Sequence, residues 1–251
     1  MFIQIPYDKK YLILFAALLP VFLLLYYINK KDSASPEPKG EIVRALFYGV
    51  ISLFLSLIIS TPLLLFGVFT EQPTTILDAL STAFFGAAIP EEVAKFVMLW
   101  LFLRNNKYFN ERFDCIFYAV CVSMGFAAVE NVAYLFINYN SWFSVGVVRA
   151  LYAVPGHFCY GVLMGYYYSL SRFPKPGFES NRALALFLPI LAHGIYNALL
   201  FMMRVNEMLA IILFIFFLLF CNNIWKFASR KIEELLKRDA EENIKIDNPD
   251  F

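Results

Sequence analysis

Seven stretches of this chain, residues 11–28, 42–69, 76–103, 114–137, 145–170, 182–203 and 207–227, are apolar over lengths that limit the fold more than any other feature does. About 20 residues at 1.5 Å rise each carry a helix across the hydrocarbon core of a bilayer. Lipid offers no partner to a bare N–H or C=O, so such stretches must close their hydrogen bonds internally as α-helices. The 251 residues are 60% hydrophobic, far above an ordinary soluble domain. The expected fold is therefore an all-α, polytopic transmembrane helix bundle of seven spans. It has eight if the third stretch, interrupted by Pro90, is a re-entrant piece followed by a helix. The first stretch follows Lys9 and Lys10 and is too long for a signal-peptide core, so it reads as a retained helix.

The charged residues report topology. Lys30, Lys31, Lys39 and Arg44 border the first loop, Arg104, Lys107 and Arg112 the third, and Arg172, Lys175 and Arg182 the fifth; five Lys and Arg from Lys226 to Arg238 follow the last span. The second and fourth loops have none, and the sixth has Arg204 alone. The positive-inside rule places the odd loops and the C-terminus in the cytoplasm and the N-terminus outside, against the votes of Lys9, Lys10 and Arg149. Residues 1–227 then form the membrane domain and 228–251 a charged cytoplasmic tail, expected as a solvated helix in which Glu233 and Lys237 can pair. With a net charge of +1 and the basic residues confined to short connections, no nucleic-acid partner is implied; the partner is the bilayer. Cys115, Cys121, Cys159 and Cys221 lie inside apolar runs without a close pair and read as small core residues. Trp100, Trp142 and Trp225 fall near span ends, as interfacial anchors do.

Function enters with the side chains that lipid does not tolerate. Between residues 76 and 103 the ionisable groups are Asp78, Glu91, Glu92 and Lys95, the last three several turns from either end, next to Pro90. A charge at bilayer depth costs about 3 kcal/mol even on lenient insertion scales, so three together need a reason. A proline inside a helix also frees a carbonyl that water or another group must satisfy. The next span carries Glu130 and Asn131, about 10 Å from its outer end. The fifth carries His157 in Pro155-Gly156-His157-Phe158-Cys159-Tyr160-Gly161, and the sixth carries His193 and Asn197. Each histidine lies about 16 Å from the start of its span, near the midplane, at the depth of Glu91 and Glu92. Four helices thus bring ionisable groups to one layer. Lys95 stands four residues after Glu91 and three after Glu92 and can neutralise either; His157, Gly161 and Gly165 share a face, as do His193 and Asn197. A lone membrane histidine or an i,i+4 Glu–Lys pair is more often structural than catalytic, but their conjunction at one depth points to chemistry.

Two hydrolytic routes suit these groups. In one, His157 and His193 with a carboxylate from Glu130, Glu91 or Glu92 hold a zinc ion, and the remaining glutamate is the base. In the other no metal is used: a buried glutamate takes the proton from water while a histidine and Asn197 donate to the oxyanion of the attacked amide. Neither a G-x-S-x-G elbow nor a suitably spaced cysteine nucleophile is present, since Cys159 and His157 diverge on a helix.

The ordered elements Glu91-Glu92-x-x-Lys95, Phe126-x-x-x-Glu130-Asn131, His157-x-x-x-Gly161 and His193-x-x-x-Asn197 resemble the PrsW family of intramembrane proteases, itself similar to the CAAX-prenyl and bacteriocin-processing membrane proteases. The resemblance covers about residues 85–200. It implies a membrane peptidase whose catalytic set is Glu91, Glu92, Glu130, His157, His193 and Asn197, supported by Lys95 and Asn131, with a membrane-anchored anti-sigma factor as substrate, cut on its extracytoplasmic side. The family is labelled metallopeptidase while its relatives look like glutamate-activated enzymes, so both routes stay open. The rivals are a proton- or ion-coupled transporter, expected to show repeated halves, and a non-catalytic scaffold using polar residues for helix association.

Overall fold

The computed structural model describes residues 7–173 and 181–247, so Lys175 of the fifth loop lies outside the described residues. It is helical in α1 (Tyr7–Lys31), α2 (Lys39–Leu65), α3 (Ile76–Ser81), α4 (Ile89–Leu103), α5 (Arg112–Ile137), α6 (Trp142–Val148), α7 (Val154–Arg172), α8 (Asn181–Val205) and α9 (Ala210–Asp247), and no strand occurs among the described residues. Among the described residues six helical stretches are long and apolar enough to cross a membrane, the one at Tyr139–Arg172 comprising α6 and α7. The stretch 76–103 is also helical throughout, but it carries the charged cluster in its second half.

α5 is the axis of the bundle. Every residue from 112 to 127 is buried, as expected of a helix with apolar side chains all round. α1, α2, α4, α7 and α9 pack around it. Small residues let the backbones meet: a Cβ on Gly49 of α2 would stand 2.1 Å from the Val122 carbonyl oxygen, and one on Gly125 2.1 Å from that of Leu46. Against another part of α5, a Cβ on Gly165 of α7 would stand 2.3 Å from the Cys115 carbonyl oxygen and one on Gly161 3.1 Å from that of Ala119. In lipid, where apolar burial drives little, such close backbone packing is what holds helices together. α7 is thereby pressed on α5, and His157 with it.

Two π-helical turns position the site, at Thr82–Ala88 and Arg149–Ala153. Each ends two residues before a proline. Ile89 donates its N–H to the Phe84 carbonyl and Val154 to that of Arg149, both i to i−5. The cause is local: the rings of Pro90 and Pro155 bring no N–H and crowd the carbonyl four residues back, and a widened turn relieves both problems. The chain swells where a simple kink was expected, and it does so just ahead of Glu91 and His157. Pro189, inside α8 ahead of His193, has no π turn.

The C-terminal helix departs from the sequence reading. α9 runs unbroken from Ala210 to Asp247, and beyond the expected membrane boundary its Ala228, Ile232 and Leu235 are buried in the main core. Lys231 donates to the Tyr166 hydroxyl (3.1 Å) and to Glu234 (2.8 Å), and Tyr166 donates to Glu234 (2.8 Å). Asp239 accepts the backbone N–H groups of Arg112 (3.3 Å) and Phe113 (2.8 Å), capping the start of α5 from another helix. Glu233 pairs with Lys31 of α1 instead of Lys237. The helix is thus docked, because its charges alternate with an apolar stripe that has a partner. Trp225 likewise packs on Tyr27 and Phe158, with ring centroids 6.2 and 5.6 Å apart, inside the seam between α1, α7 and α9. The four cysteines are free, three buried and Cys221 partly so, as expected of small packing residues.

Candidate active site

Three helices meet at one buried group. α4 brings Glu91, Glu92 and Lys95, α7 brings His157, and α8 brings His193; one ligand atom from each of Glu91, Glu92, His157 and His193 lies within 4.8 Å of all the others. Gly194 allows the approach of α8, since a Cβ there would stand 2.2 Å from the Phe84 ring in the first π turn. The two imidazole rings are 5.3 Å apart, nearly perpendicular.

Lys95 is the hub. Its ammonium, fully buried, donates to Glu92 Oε1 at 2.8 Å, approaches Glu91 Oε2 at 3.5 Å and lies 3.1 Å from His157 Nδ1. It also sits 4.0 Å from the centroid of the Phe126 ring, which gives the quoted Phe126 element a physical role. An ammonium has only donors, so His157 Nδ1 must accept and the ring proton must be on Nε2. Nε2 faces Glu130 Oε2 at 2.9 Å, which takes that proton as a hydrogen bond. His193 Nδ1 lies 2.9 Å from Glu92 Oε1 and 3.9 Å from Glu91 Oε2. Glu92 is therefore clamped between Lys95 and His193, with Oε2 buried and, among the described residues, unpartnered. Glu91, its side chain 15% exposed, has only the two longer contacts among the described residues.

Glu130 stands one step back, beside His157 and outside the four-residue group. It accepts from Arg149 Nη2 at 2.8 Å, and Arg149 Nε donates to Asn131 Oδ1 at 2.6 Å. Asn131 in turn donates to the Ala17 carbonyl of α1 at 2.7 Å. Asn197 is half-buried one turn after His193. In the sequence Arg149 stands out only as a dissenting topology vote; the structure makes it part of the site's frame. A single arginine inside an otherwise apolar run was the signal. Tyr160, three residues after His157, was also passed over, and its ring stacks on His193 at 4.9 Å.

Charge limits what the site can do. Glu91, Glu92 and Glu130 face two permanent cations, Lys95 and Arg149. A buried excess negative charge is costly, and one further positive charge, a proton or a metal cation, closes the balance. The donor set fits a metal: two imidazoles and carboxylates are zinc ligands, and a histidine whose far nitrogen donates to a carboxylate, as His157 does to Glu130, has the outer-shell support typical of such ligands.

Comparison with known proteins agrees with this geometry. The family model described as PrsW family intramembrane metalloprotease matches residues 37–221. The chain is 28% identical over 225 residues to "Protease PrsW" of Clostridioides difficile (strain 630), covering 88% of this chain and 90% of that one. It is 32% identical to the protein of that name from Halalkalibacterium halodurans over 75% of this chain and 83% of the relative, and 30% identical to that of Bacillus subtilis (strain 168) over 75% and 82%. No solved structure matches the chain. An integral membrane peptidase is what the buried glutamate–histidine layer and these similarities describe together, and the chain belongs to the PrsW family of intramembrane proteases.

Proposed function

We propose that the protein is an endopeptidase that hydrolyses a peptide bond of a membrane-anchored protein through a water activated by Glu91. The observation that carries this reading is the convergence of Glu91, Glu92, His157 and His193 on one buried point. Glu91 is the base because its carboxylate is held loosely, while Glu92 is engaged by Lys95 and His193. Glu91 takes one proton from water as the water oxygen bonds to the amide carbon and the carbonyl electrons move onto oxygen. Asn197 donates to that oxyanion. When the C–N bond breaks, Glu91 returns the proton to the leaving nitrogen. Lys95 pairs with Glu92 and holds it in place, and Glu130 holds His157 in its tautomer.

With zinc, His157 through Nδ1, His193 and one carboxylate of the Glu91–Glu92 pair would be the ligands, which would require the Lys95 ammonium to give up its hydrogen bond to Nδ1, Glu130 remaining the outer carboxylate of His157. The ion would supply Lewis-acid activation of the water. Following the resemblance, the substrate is a membrane-anchored anti-sigma factor cut on its extracytoplasmic side, with the N-terminus outside and the C-terminus in the cytoplasm. The test uses purified protein and a single-pass substrate. Glu91→Gln and His193→Ala, each eluting as a folded species, lose activity by about 10²-fold or more. Wild-type rates in both would overturn the assignment. Metal analysis before and after chelation, alongside the same assay, separates the zinc route from the metal-free one.

A further inference from the structure

On the other side of Tyr160 from the glutamates lies a cavity of about 400 Å³, within the size range of small ligand sites. Leu24 of α1, Leu151 of the second π turn, Tyr160 of α7, Tyr196 of α8, and Cys221 and Trp225 of α9 are among the residues that line it. The walls are mainly apolar, and Leu151 and Leu218 carry them out to the lipid-facing surface, at 61% and 37% exposure. One ring separates this space from the catalytic layer: Tyr160 lines the cavity and stacks on His193. Gly156, next to His157 in the chain, also lines it, and a Cβ there would come within 3.1 Å of the Tyr160 hydroxyl. That hydroxyl is buried and, among the described residues, has no hydrogen-bond partner, although buried tyrosine hydroxyls normally find one.

We infer that this cavity is a side-chain subsite, which takes one large apolar or aromatic side chain of a membrane-spanning substrate at a position flanking the bond that is cut. The Tyr160 hydroxyl donates to a carbonyl of the substrate backbone beside it. The inference rests on the endopeptidase reading above. A peptide suits the space better than a lipid tail does, because an acyl chain offers Tyr160 no acceptor. The occupant arrives from the bilayer: α1 and α9 both present apolar side chains to it, including Phe22 and Leu23 on one and Phe216 and Leu219 on the other.

The experiment uses the full chain in liposomes and single-pass host peptides that differ only in the residue beside the cut, Phe or Ala. Wild type cleaves the Phe host about tenfold faster or more, in the range that pocket contacts give. Cys221→Trp, which fills the cavity, lowers that Phe-to-Ala ratio by about tenfold; Trp225→Ala, which enlarges it, shifts the ratio the other way if the first variant fails to fold. A diazirine-bearing Phe host is then irradiated with the Glu91→Gln variant, where it labels residues of α1, α7 or α9 around the cavity. Equal slowing of both hosts in Cys221→Trp overturns the subsite, as does labelling elsewhere. So does a diazirine phospholipid that labels the cavity and is not displaced by the peptide. Labelling of the cavity with no host cleaved by wild type supports the subsite and overturns the peptidase reading instead, so the two failures are distinct.

Discussion

Arg149 shows how one side chain can govern a site it does not enter. Its guanidinium joins Glu130 at 2.8 Å and Asn131 at 2.6 Å while lying 4.0 Å over the Tyr134 ring. Only a planar fork makes those contacts together, so lysine is no substitute. Arg149→Lys is expected to free Glu130, loosen the His157 tautomer and lower kcat by about 10–100-fold, the usual cost of disturbing an outer-shell partner, with KM little changed. Arg149→Ala leaves Glu130 buried beside a histidine alone and should also lower stability by about 3–5 kcal/mol, read as a fall in the thermal unfolding midpoint. The two glutamates separate the same way. Glu92→Gln weakens the contacts to Lys95 and His193 and costs both stability and activity, whereas Glu91→Gln leaves the unfolding midpoint near wild type and removes activity. Equal thermal losses would remove the argument for Glu91 as base.

Elements decide which of these relations a sequence can reveal. Depth was legible, because 1.5 Å per residue places Glu91, Glu92, His157 and His193 in one layer whatever the helices do around them. The Lys95 pairing with both glutamates was legible too, being local to α4. Which helix face met which was not. A π turn inserts one extra residue, about 100° of rotation, and one precedes each of the Glu91 and His157 segments, so a 3.6-residue period carried across them puts side chains on the wrong bearing. Glu130 thus emerges beside His157 and outside the four-residue group. The docking of α9 was hidden for another reason: Lys231, Glu234 and Asp239 look like a solvated face until Tyr166 and the first-turn backbone N–H groups of α5 are placed opposite them. Asp239→Ala removes that cap and should cost about 1 kcal/mol in chemical denaturation. At the α5–α7 contact, Gly165→Ala sets a methyl against the Cys115 carbonyl, and about 1–3 kcal/mol is expected there from overpacking.

At the scale of the whole molecule, the end of the bundle where the α1–α2 connection meets α5 and α9 is held by acidic groups. Asp32 of that connection is buried, with Oδ2 unpartnered among the described residues, and Asp114, Glu111 and Asp239 bear on it from the other elements. Glu37 accepts a hydrogen bond from Tyr118 of α5. Burial, reinforced by these like charges and opposed by the Glu37 backbone N–H, pushes the Asp32 carboxyl up to about 7 from its ordinary 3.8. Burial also raises Glu37, against the pull of the Tyr118 hydrogen bond. A carboxyl raised on folding favours the protonated state, so its contribution to stability is complete below the unfolded value near 3.8 and is lost as pH rises through about 7. The unfolding midpoint in detergent should therefore fall between pH 5 and pH 8. Asp32→Asn, which keeps the shape and removes the charge, should flatten that dependence and stabilise the protein at pH 8 by about 1–3 kcal/mol, the scale of an unsatisfied buried polar group. A midpoint that rises with pH in wild type, or an unchanged slope in the variant, would show that this end of the bundle keeps Asp32 charged and solvated.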